Sequence, residues 1–340
     1  MILFAGTYTK NTSSEGIYTL EFNESNNDLS VIHTMKAENP SFLITEGTNL
    51  YSVNELQNEG GYTKFLINSD YSLKEEQRLT MEGSSSCHIA KREDLVFVAN
   101  YGSGNFGCFK KDNDSGLENL AIDISFSGSG PNKRRQSQPH THSVNVSPNG
   151  KHLVVADLGI DCLVVYDITG GIEPIEINRV ENVGAGEGPR HLCFHPTLNK
   201  LYVVTELLNN VISFDYNPIT GELIKKDSYP VNPSSFSGES TSAHICLSRD
   251  NRFLYASNRG WNGLAAFNVD ESGDISPMGF FEGFGKVPRS FAISKDNEYI
   301  IIAYQDSDLV VIAKRDIKTG EVKDVVSSIN IPSPVCIIPY

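Results

Sequence analysis

Histidine, arginine and glutamate side chains recur in this sequence close to the ends of short apolar segments. One set stands where an apolar segment begins: Cys87, His88, His140, His142, Arg190, His191, His244 and Arg289. The other set lies two residues beyond a longer apolar run: Tyr8, Glu55, Tyr101, Leu158, Glu206, Arg259 and Gln305. Brought together, such side chains could supply a general base and cations that bind an anion or stabilise an oxyanion. Whether they meet depends on the elements that carry them.

A short string of apolar and β-branched residues recurs seven times along the chain. Its copies are LFAGTY from Leu3, LYSVNE from Leu50, VFVANY from Val96, LVVADL from Leu153, LYVVTE from Leu201, LYASNR from Leu254 and IIIAYQ from Ile300. Successive copies start 47, 46, 57, 48, 53 and 46 residues apart. Each copy follows another apolar segment and a turn and precedes two more segments, so each repeat contains four strands. No stretch of 12 or more residues shows a helical period, so we expect few helices.

Repeats of this length with four strands each are typical of a β-propeller, in which radially packed blades close into a ring. An open solenoid is the alternative, but the two ends of the chain favour the ring. The chain begins at the second-strand string, and it ends with SPVCIIPY, which matches the first-strand string RHLCFHP of an internal repeat. The last segment would therefore supply the innermost strand that the first repeat lacks. We predict an all-β fold, a seven-bladed propeller with four antiparallel strands per blade, as one domain over residues 1–340.

In an antiparallel blade the innermost strand begins at the end where the second strand finishes. Both sets of polar residues should therefore meet at one mouth of the central channel. One loop at this mouth is long, since the 57-residue spacing contains the stretch GSGPNKRRQSQPHTH from Gly128 to His142. Its Lys133, Arg134 and Arg135 would suit an anionic ligand. The alternative is a flexible, solvated loop whose charges bind nothing specific.

The whole chain contains 28 basic and 42 acidic residues, which gives a formal net charge of −14. This balance argues against binding to nucleic acid or to an anionic membrane, so an anionic ligand would need a local basic pocket. The start of the chain lacks the basic segment and long apolar run of a signal peptide, and no later stretch is long enough to span a membrane. We therefore expect a cytoplasmic protein, either a monomer or a weak homo-oligomer.

Cysteine and histidine spacing does not indicate a metal site. The six cysteines are scattered without a C-x-x-C pair, so we expect reduced packing residues. His140 and His142 form an H-x-H pair that could bind zinc, but no further ligand spacing completes a site. The string GSGNFG from Gly102 satisfies the dinucleotide-binding pattern, but it joins two strands and does not open a helix. We expect neither a metal nor a cofactor.

Three segments resemble one known family. They are GAGEGPRHLCFHPTLNKLYVVTELLNNVISFDYN from Gly184 to Asn217, RQSQPHTHSVNVSPNGK from Arg135, and LYASNRG from Leu254. They look like the bacterial 6-phosphogluconolactonases of the seven-bladed lactonase propeller family, which also includes the fungal carboxy-muconate lactonizing enzyme. The resemblance covers the whole chain. It implies hydrolysis of 6-phospho-D-glucono-1,5-lactone in the pentose phosphate route, with a site made of His142, Arg190, Glu206 and Arg259.

Opening a lactone needs a base to activate water, a cation for the oxyanion and a proton for the leaving ring oxygen. Our hypothesis makes Glu206 or His142 the general base, and it makes Arg190 the oxyanion-stabilising group. Arg259, together with Arg289 or Arg135, would hold the phosphate. The residues expected to bind substrate are Arg135, His140, His191, Arg289, Glu55 and Gln305.

Structural roles compete with some of these assignments. Arg190 and Glu206 could form a simple ion pair across two adjacent strands. His191 and His244 occupy the same position in two repeats, which favours packing between blades.

Two other functions are compatible with the sequence. A related enzyme could open or form another anionic lactone, as in a muconate cycloisomerisation. A non-catalytic propeller could instead present a rim to a protein partner, which predicts exposed aromatic or apolar patches. The single tryptophan excludes a recurring W-D signature. The polar cluster at one mouth favours an enzyme, and the resemblance implies that its substrate is a small anionic phosphosugar lactone.

Overall fold

The computed structural model describes residues 1–111, 118–171, 175–180 and 183–340, and these ranges contain 28 strands. The strands form seven four-stranded antiparallel sheets. A 3-10 turn, Gln305–Ser307, is the one helical element in the described ranges. The prediction of an all-β fold with very few helices is confirmed.

The strands follow one another along the chain with short connections. The first seven are β1 (Ile2–Thr7), β2 (Gly16–Asn23), β3 (Asp28–Lys36), β4 (Leu43–Glu46), β5 (Asn49–Val53), β6 (Gly60–Ile67) and β7 (Leu73–Met81). The next eight are β8 (Ser86–Arg92), β9 (Leu95–Asn100), β10 (Asn105–Lys111), β11 (Glu118–Ser125), β12 (Thr141–Val146), β13 (His152–Asp157), β14 (Cys162–Asp167) and β15 (Ile175–Val180). They are followed by β16 (Pro189–Phe194), β17 (Lys200–Thr205), β18 (Asn210–Tyr216), β19 (Leu223–Pro230), β20 (Thr241–Leu247), β21 (Phe253–Arg259) and β22 (Leu264–Val269). The last six are β23 (Ile275–Phe281), β24 (Pro288–Ile293), β25 (Tyr299–Tyr304), β26 (Leu309–Arg315), β27 (Val322–Asn330) and β28 (Pro334–Pro339).

Strand β28 closes the ring. It pairs antiparallel with β1, so that Leu3 opposes Pro339 and Gly6 opposes Cys336, and the first sheet has the order β28-β1-β2-β3. Each of the other six sheets consists of four strands that are consecutive in sequence. The innermost strands also contact one another in a closed cycle, β28, β4, β8, β12, β16, β20, β24 and back to β28. The seven blades and their closure by the C-terminal strand, predicted from the terminal strings, are confirmed.

The second strand of a blade is covered on both faces by the neighbouring blades. In β1, β9, β13, β17 and β25 every residue is buried. A strand enclosed on both faces has a continuous apolar run, which is why the recurring string stands out in the sequence. Between blades the side chains interlock, as where Val154 and Val165 of one blade pack with Val203 and Phe214 of the next.

Candidate active site

The innermost strands are irregular at the mouth of the channel where they begin. In β16 the pairing register with β17 shifts between Pro189 and His191, which leaves Arg190 as an extra, unpaired residue. Equivalent shifts leave out Cys87 in β8, His142 in β12 and Arg289 in β24. A β-bulge of this kind changes the direction of the local side chain and is frequent beside active sites. All four bulged residues line the cavities at this mouth.

The cavity that surrounds Glu206 at this mouth, which we call the pit, has a volume of about 170 Å³. Its lining residues are Glu55, Cys87, Tyr101, Arg135, His142, Glu206, Arg259 and Arg289. Directly beneath it, a gap of only about 10 Å³ touches Arg190 and His191. The structure therefore brings eight of the ten predicted site residues to the pit or to the gap under it.

Glu206 is at the centre of this cluster, and only 3% of its surface is exposed. Its Oε2 lies 2.9 Å from Nε of Arg190 and 2.9 Å from Nη2 of Arg259. Arg135 donates a hydrogen bond to Oε1, and Nε2 of His142 lies 3.8 Å from Oε2. These partners come from three adjacent blades. The ion pair between Arg190 and Glu206 does form, but it is one part of a larger network.

The ionisation of Glu206 follows from this network. Burial raises the pKa of the carboxyl group, but the positive charges around it, chiefly Arg259 and Arg190, outweigh burial and hold the pKa well below its usual range. The carboxylate is therefore ionised throughout the neutral pH range and is a weak base. Its main effect is to hold the surrounding cations in place.

His142 has the opposite electrostatic environment. Burial lowers the pKa of its imidazole well below the usual range, and Arg190 lowers it further while Glu206 opposes the shift. The ring is therefore neutral at neutral pH and has a nitrogen lone pair that can accept a proton. Nδ1 lies 3.7 Å from Sγ of Cys87, while Nε2 is the atom near Glu206. An imidazolium formed here would face a carboxylate.

Arg190 supports the site from beneath the pit and is 2% exposed. In addition to its bond to Glu206, its Nη1 lies 3.2 Å from Nε2 of His191 and donates to the carbonyl oxygen of Ala243. Burial lowers the pKa of the guanidinium to about 9, and neighbouring arginines add to this shift. Arg190 therefore stays charged at neutral pH, and most of its donors are already engaged by the protein.

Two arginines on the pit wall have free donors. Nη2 of Arg259 donates to the carbonyl oxygen of Ser242 at 2.8 Å, whereas its buried Nε has no partner among the described residues. The guanidinium of Arg289 lies 5.3 Å from the centre of the Tyr8 ring, and it forms no hydrogen bond or ion pair with any part of the chain that the structure describes. The Tyr8 hydroxyl in turn donates to Glu55 at 3.0 Å. Arg289 is thus the pit arginine most available to an anionic ligand.

Four histidines fill the channel at and below the pit. The ring centre of His191 lies 5.2 Å from that of His88, 5.4 Å from that of His142 and 5.3 Å from that of His244. Nδ1 of His191 and Nδ1 of His244 are 3.0 Å apart. Burial lowers the pKa of all four imidazoles, to about 3 for His88 and His244. These neutral rings pack between blades and close the floor of the pit.

The long loop that carries Arg134 and Arg135 is anchored by Gln136, which was not among the residues predicted from the sequence. Gln136 is fully buried, and its Nε2 donates to Asp161 Oδ1 at 2.7 Å. Its Oε1 accepts the backbone N–H of Asn132 at 3.1 Å. Nothing in the sequence distinguishes this glutamine from its polar neighbours, because its role depends on a partner 25 residues further on. The loop is a preorganised part of the site.

We expect Gln136→Ala to loosen this loop, because it removes the side-chain hydrogen bonds to Asp161, to the carbonyl oxygen of Leu158 and from the backbone N–H of Asn132. Opening of the loop should become about tenfold more frequent, as expected for the loss of roughly 1–2 kcal/mol of hydrogen bonding. Limited trypsin digestion measures this opening, since Lys133, Arg134 and Arg135 are cleavage sites in the loop.

Gln138→Ala is the matched control for this measurement. Gln138 is exposed, and its side chain donates only to the carbonyl oxygen of Gly102. This variant should be cut at the wild-type rate, and equal acceleration in both variants would show that Gln136 has no special anchoring role.

Two predicted site residues line neither the pit nor the gap under it. His140 stacks on Tyr101 with ring centres 4.4 Å apart, and its Nδ1 lies 2.7 Å from the carbonyl oxygen of Tyr101. Gln305 begins the 3-10 turn and does not line the pit. Conversely, Cys87 and Tyr101 line the pit although neither was assigned a role. The sequence could have identified them, because Cys87 and Tyr101 occupy the same repeat positions as the predicted catalytic residues.

The pit concentrates positive charge in an acidic protein. The pit and the gap under it are lined by four arginines and two glutamates, namely Arg135, Arg190, Arg259, Arg289, Glu55 and Glu206. Their formal charge is therefore 4 − 2 = +2, compared with −14 for the whole chain. Such an excess attracts small anions. Among the residues that the structure describes, no group of three or more His, Cys, Asp or Glu side chains is placed to hold a metal ion.

The fold and the site together define a class of protein, the seven-bladed β-propellers with an arginine-rich, carboxylate-centred pit at one channel mouth. Sequence comparison is more specific. The profile of the family described as "Lactonase, 7-bladed beta-propeller" matches residues 2–339. The chain belongs to this lactonase family.

Individual relatives cover nearly the whole chain. A 6-phosphogluconolactonase of Bacillus subtilis is 32% identical over 98% of this chain and 97% of its own. The solved structure of a periplasmic gluconolactonase from Pseudomonas aeruginosa is 28% identical, covers 99% of this chain and 98% of its own, and superposes with a TM-score of 0.92. A Bacteroides fragilis protein with a provisional 6-phosphogluconolactonase name is 31% identical, with coverage of 99% and 97% and a TM-score of 0.91.

In the described ranges the chain has no helix with the length and apolar character needed to cross a membrane. Because one relative is named as periplasmic, the cytoplasmic location of this chain stays a prediction.

Proposed function

We propose that this protein hydrolyses 6-phospho-D-glucono-1,5-lactone to 6-phosphogluconate, as a step of the pentose phosphate route. The observation that carries the proposal is the pit, where a buried carboxylate, a neutral histidine and several arginines converge. Protein side chains fill every role that the reaction needs, so the proposed mechanism uses no metal or cofactor. The Bacillus subtilis relative named 6-phosphogluconolactonase supports the choice of substrate.

His142 acts as the general base in this mechanism. Its neutral imidazole accepts a proton from the water molecule whose oxygen bonds to the lactone carbonyl carbon. The carboxylate of Glu206 stabilises the resulting imidazolium across the 3.8 Å between the two groups. Glu206 is less suited to be the base, because arginines already occupy both of its oxygens. The imidazolium then returns its proton to the ring oxygen as the carbon–oxygen bond of the ring breaks.

Arg289 and Arg259 are the oxyanion-stabilising groups in this mechanism. Both line the pit, and both have donors without a partner among the residues that the structure describes. Donors that are already in place need no reorganisation when negative charge develops on the carbonyl oxygen. Arg190, which we expected from the sequence to stabilise the oxyanion, has most of its donors engaged. Its proposed role is to position Glu206.

The direct test follows the disappearance of freshly generated 6-phosphogluconolactone, with spontaneous hydrolysis as the baseline. Unphosphorylated glucono-1,5-lactone and a muconolactone are assayed in parallel. The proposal requires a rate well above the baseline for the phosphorylated lactone. A rate equal to the baseline for both sugar lactones would refute it, and turnover of muconolactone alone would favour the cycloisomerase alternative.

We expect kcat/KM for the unphosphorylated lactone to stay level as the pH falls from about 8 through 6.5. The lowered pKa of His142 keeps the base form populated over this range, whereas a histidine with the ordinary pKa of 6.5 would lose half of it. The unphosphorylated substrate is used because a phosphate monoester itself titrates at about pH 6. Initial rates at constant ionic strength measure the profile.

Unfolding must be followed at the same pH values as a control. The pKa values of these four histidines, His88, His142, His191 and His244, are lowered in the folded protein, so below pH 6.5 the unfolded chain binds more protons than the folded one. Their contribution to stability is complete above pH 6.5 and is lost as the pH falls toward about 3. A decline in kcat/KM centred near pH 6.5 while the protein is still folded would contradict the role of His142.

A further inference from the structure

A second, larger cavity adjoins the pit and shares two of its lining residues. This outer groove has a volume of about 570 Å³ and is lined by Asn132, Arg134, Arg135, Leu207, Glu239, Ser240, Thr241, Arg259 and Gly260. Arg135 and Arg259 line both cavities, so the pit and the groove meet at these two side chains. The pit alone, at about 170 Å³, is below the roughly 300 Å³ at which most ligand pockets begin. The two cavities together are in the usual range.

Arg134 presents a free guanidinium in the outer groove. Its side chain forms no hydrogen bond or ion pair with any residue in the described ranges, and it is exposed. Its backbone is nevertheless held, because Arg134 N donates to Oδ1 of Asn132 at 3.2 Å and the next residues are anchored by Gln136. A fixed backbone with a free guanidinium suits the capture of a phosphate, which accepts hydrogen bonds from an arginine in a bidentate manner.

The rest of the groove is compatible with an anion. Ser240 and Thr241 contribute hydroxyl groups, and Glu239 is the single acidic residue among the lining residues. The basic lining residues are Arg134, Arg135 and Arg259, so the formal charge of the lining is 3 − 1 = +2. The positive potential of the pit therefore continues outward along the groove.

We propose that the outer groove is the subsite for the phosphate of the substrate and that Arg134 binds this phosphate. The inference rests on the proposed lactonase function. In the substrate, the ring oxygen, one ring carbon and an exocyclic carbon separate the carbonyl carbon from the phosphate ester. With the carbonyl carbon beside His142 in the pit, the phosphate therefore extends past Arg135 and Arg259 toward Arg134. Arg134 is then the residue that distinguishes a phosphorylated lactone from an unphosphorylated one.

The test compares both lactones in the wild type and in Arg134→Ala. We expect KM for the phosphorylated lactone to rise about tenfold, as for the loss of one charge-assisted hydrogen bond, with kcat unchanged. Both constants for the unphosphorylated lactone should keep their wild-type values. Arg134→Lys, which keeps the charge without the bidentate geometry, should recover part of the loss. The matched control is Lys133→Ala, because Lys133 is an exposed cation of the same loop that does not line the groove.

Other outcomes would overturn the inference. Arg134→Ala could leave KM for the phosphorylated lactone unchanged, or it could impair both lactones equally, and either result removes Arg134 from phosphate recognition. Inhibition by inorganic phosphate tests whether the groove binds free phosphate instead of the phosphate of the substrate. If Arg134→Ala weakens this inhibition but leaves KM unchanged, the groove binds free phosphate and not the substrate. A wild-type rate at the spontaneous level for both lactones is a different result, which refutes the proposed function itself.

Discussion

The Glu206→Gln variant is expected to lose about a thousandfold in kcat/KM and to be clearly less stable than the wild type. Glutamine has the shape of glutamate but no charge, so Arg190 and Arg259 lose the anion that lies 2.9 Å from each of them. Removing one partner of a buried ion pair costs about 3–5 kcal/mol of folding free energy. Activity falls because the imidazolium at His142 loses its counter-charge and the arginines lose their positions, within the roughly 10²–10⁴-fold range of general-base defects.

Steady-state kinetics and thermal unfolding measure these two effects, and Glu187→Gln provides the control. Glu187 is also a buried carboxylate of the same blade, but its partners are the neutral groups of Thr205 and Asn210, and it does not line the pit. This variant should lose some stability and keep its kcat/KM. If the two variants lost activity in proportion to stability, Glu206 would have only a structural role.

The His142→Asn variant is expected to lose 10²- to 10⁴-fold in kcat with little change in KM. Asparagine can form hydrogen bonds but cannot accept a proton from water at neutral pH, so the general base is lost. Substrate binding depends mainly on the arginines, which this substitution leaves in place, so KM should stay near its wild-type value. Initial rates over a range of lactone concentrations separate kcat from KM.

His244→Asn is the matched control for this variant. His244 belongs to the same histidine cluster and also has a pKa lowered by desolvation, but it lies below the pit and not on its wall. Its replacement should reduce stability and leave kcat within a fewfold of the wild-type value. A large loss of kcat in His244→Asn, with His142→Asn nearly as active as the wild type, would show that His142 in the pit is not the general base.

The ring could be predicted from the sequence because the pattern that specifies it is local. Each second strand is buried on both faces and therefore forms a continuous apolar run, which repeats from Leu3 to Ile300. The matching strings at the two ends predict the pairing of β28 with β1. Antiparallel pairing then brings strand starts and strand ends to one mouth, so the sequence was also sufficient to collect the polar residues there.

The pit residues could not all be separated from their neighbours in this way. Adjacent or nearly adjacent candidates, such as His140 with His142 and Arg190 with His191, are equivalent by repeat position. The register shifts in β12 and β16 distinguish them, because the bulged His142 and Arg190 are the members of these pairs that contact Glu206. A bulge arises from the pairing of two strands and the packing of adjacent blades, so no single segment encodes it.

Repeat period, strand count, ring closure and the charged character of one mouth are thus properties of the sequence, since each depends on residue types at regular spacing. The protonation states of Glu206 and His142 cannot be read from the sequence in this way. A low pKa at Glu206 and a neutral His142 depend on burial and on charges contributed by three adjacent blades. The placement of Arg135 and the outer groove likewise depends on the hydrogen bond from Gln136, in the long loop, to Asp161. Such distances exist only after the chain has folded, because they join residues that no local pattern connects.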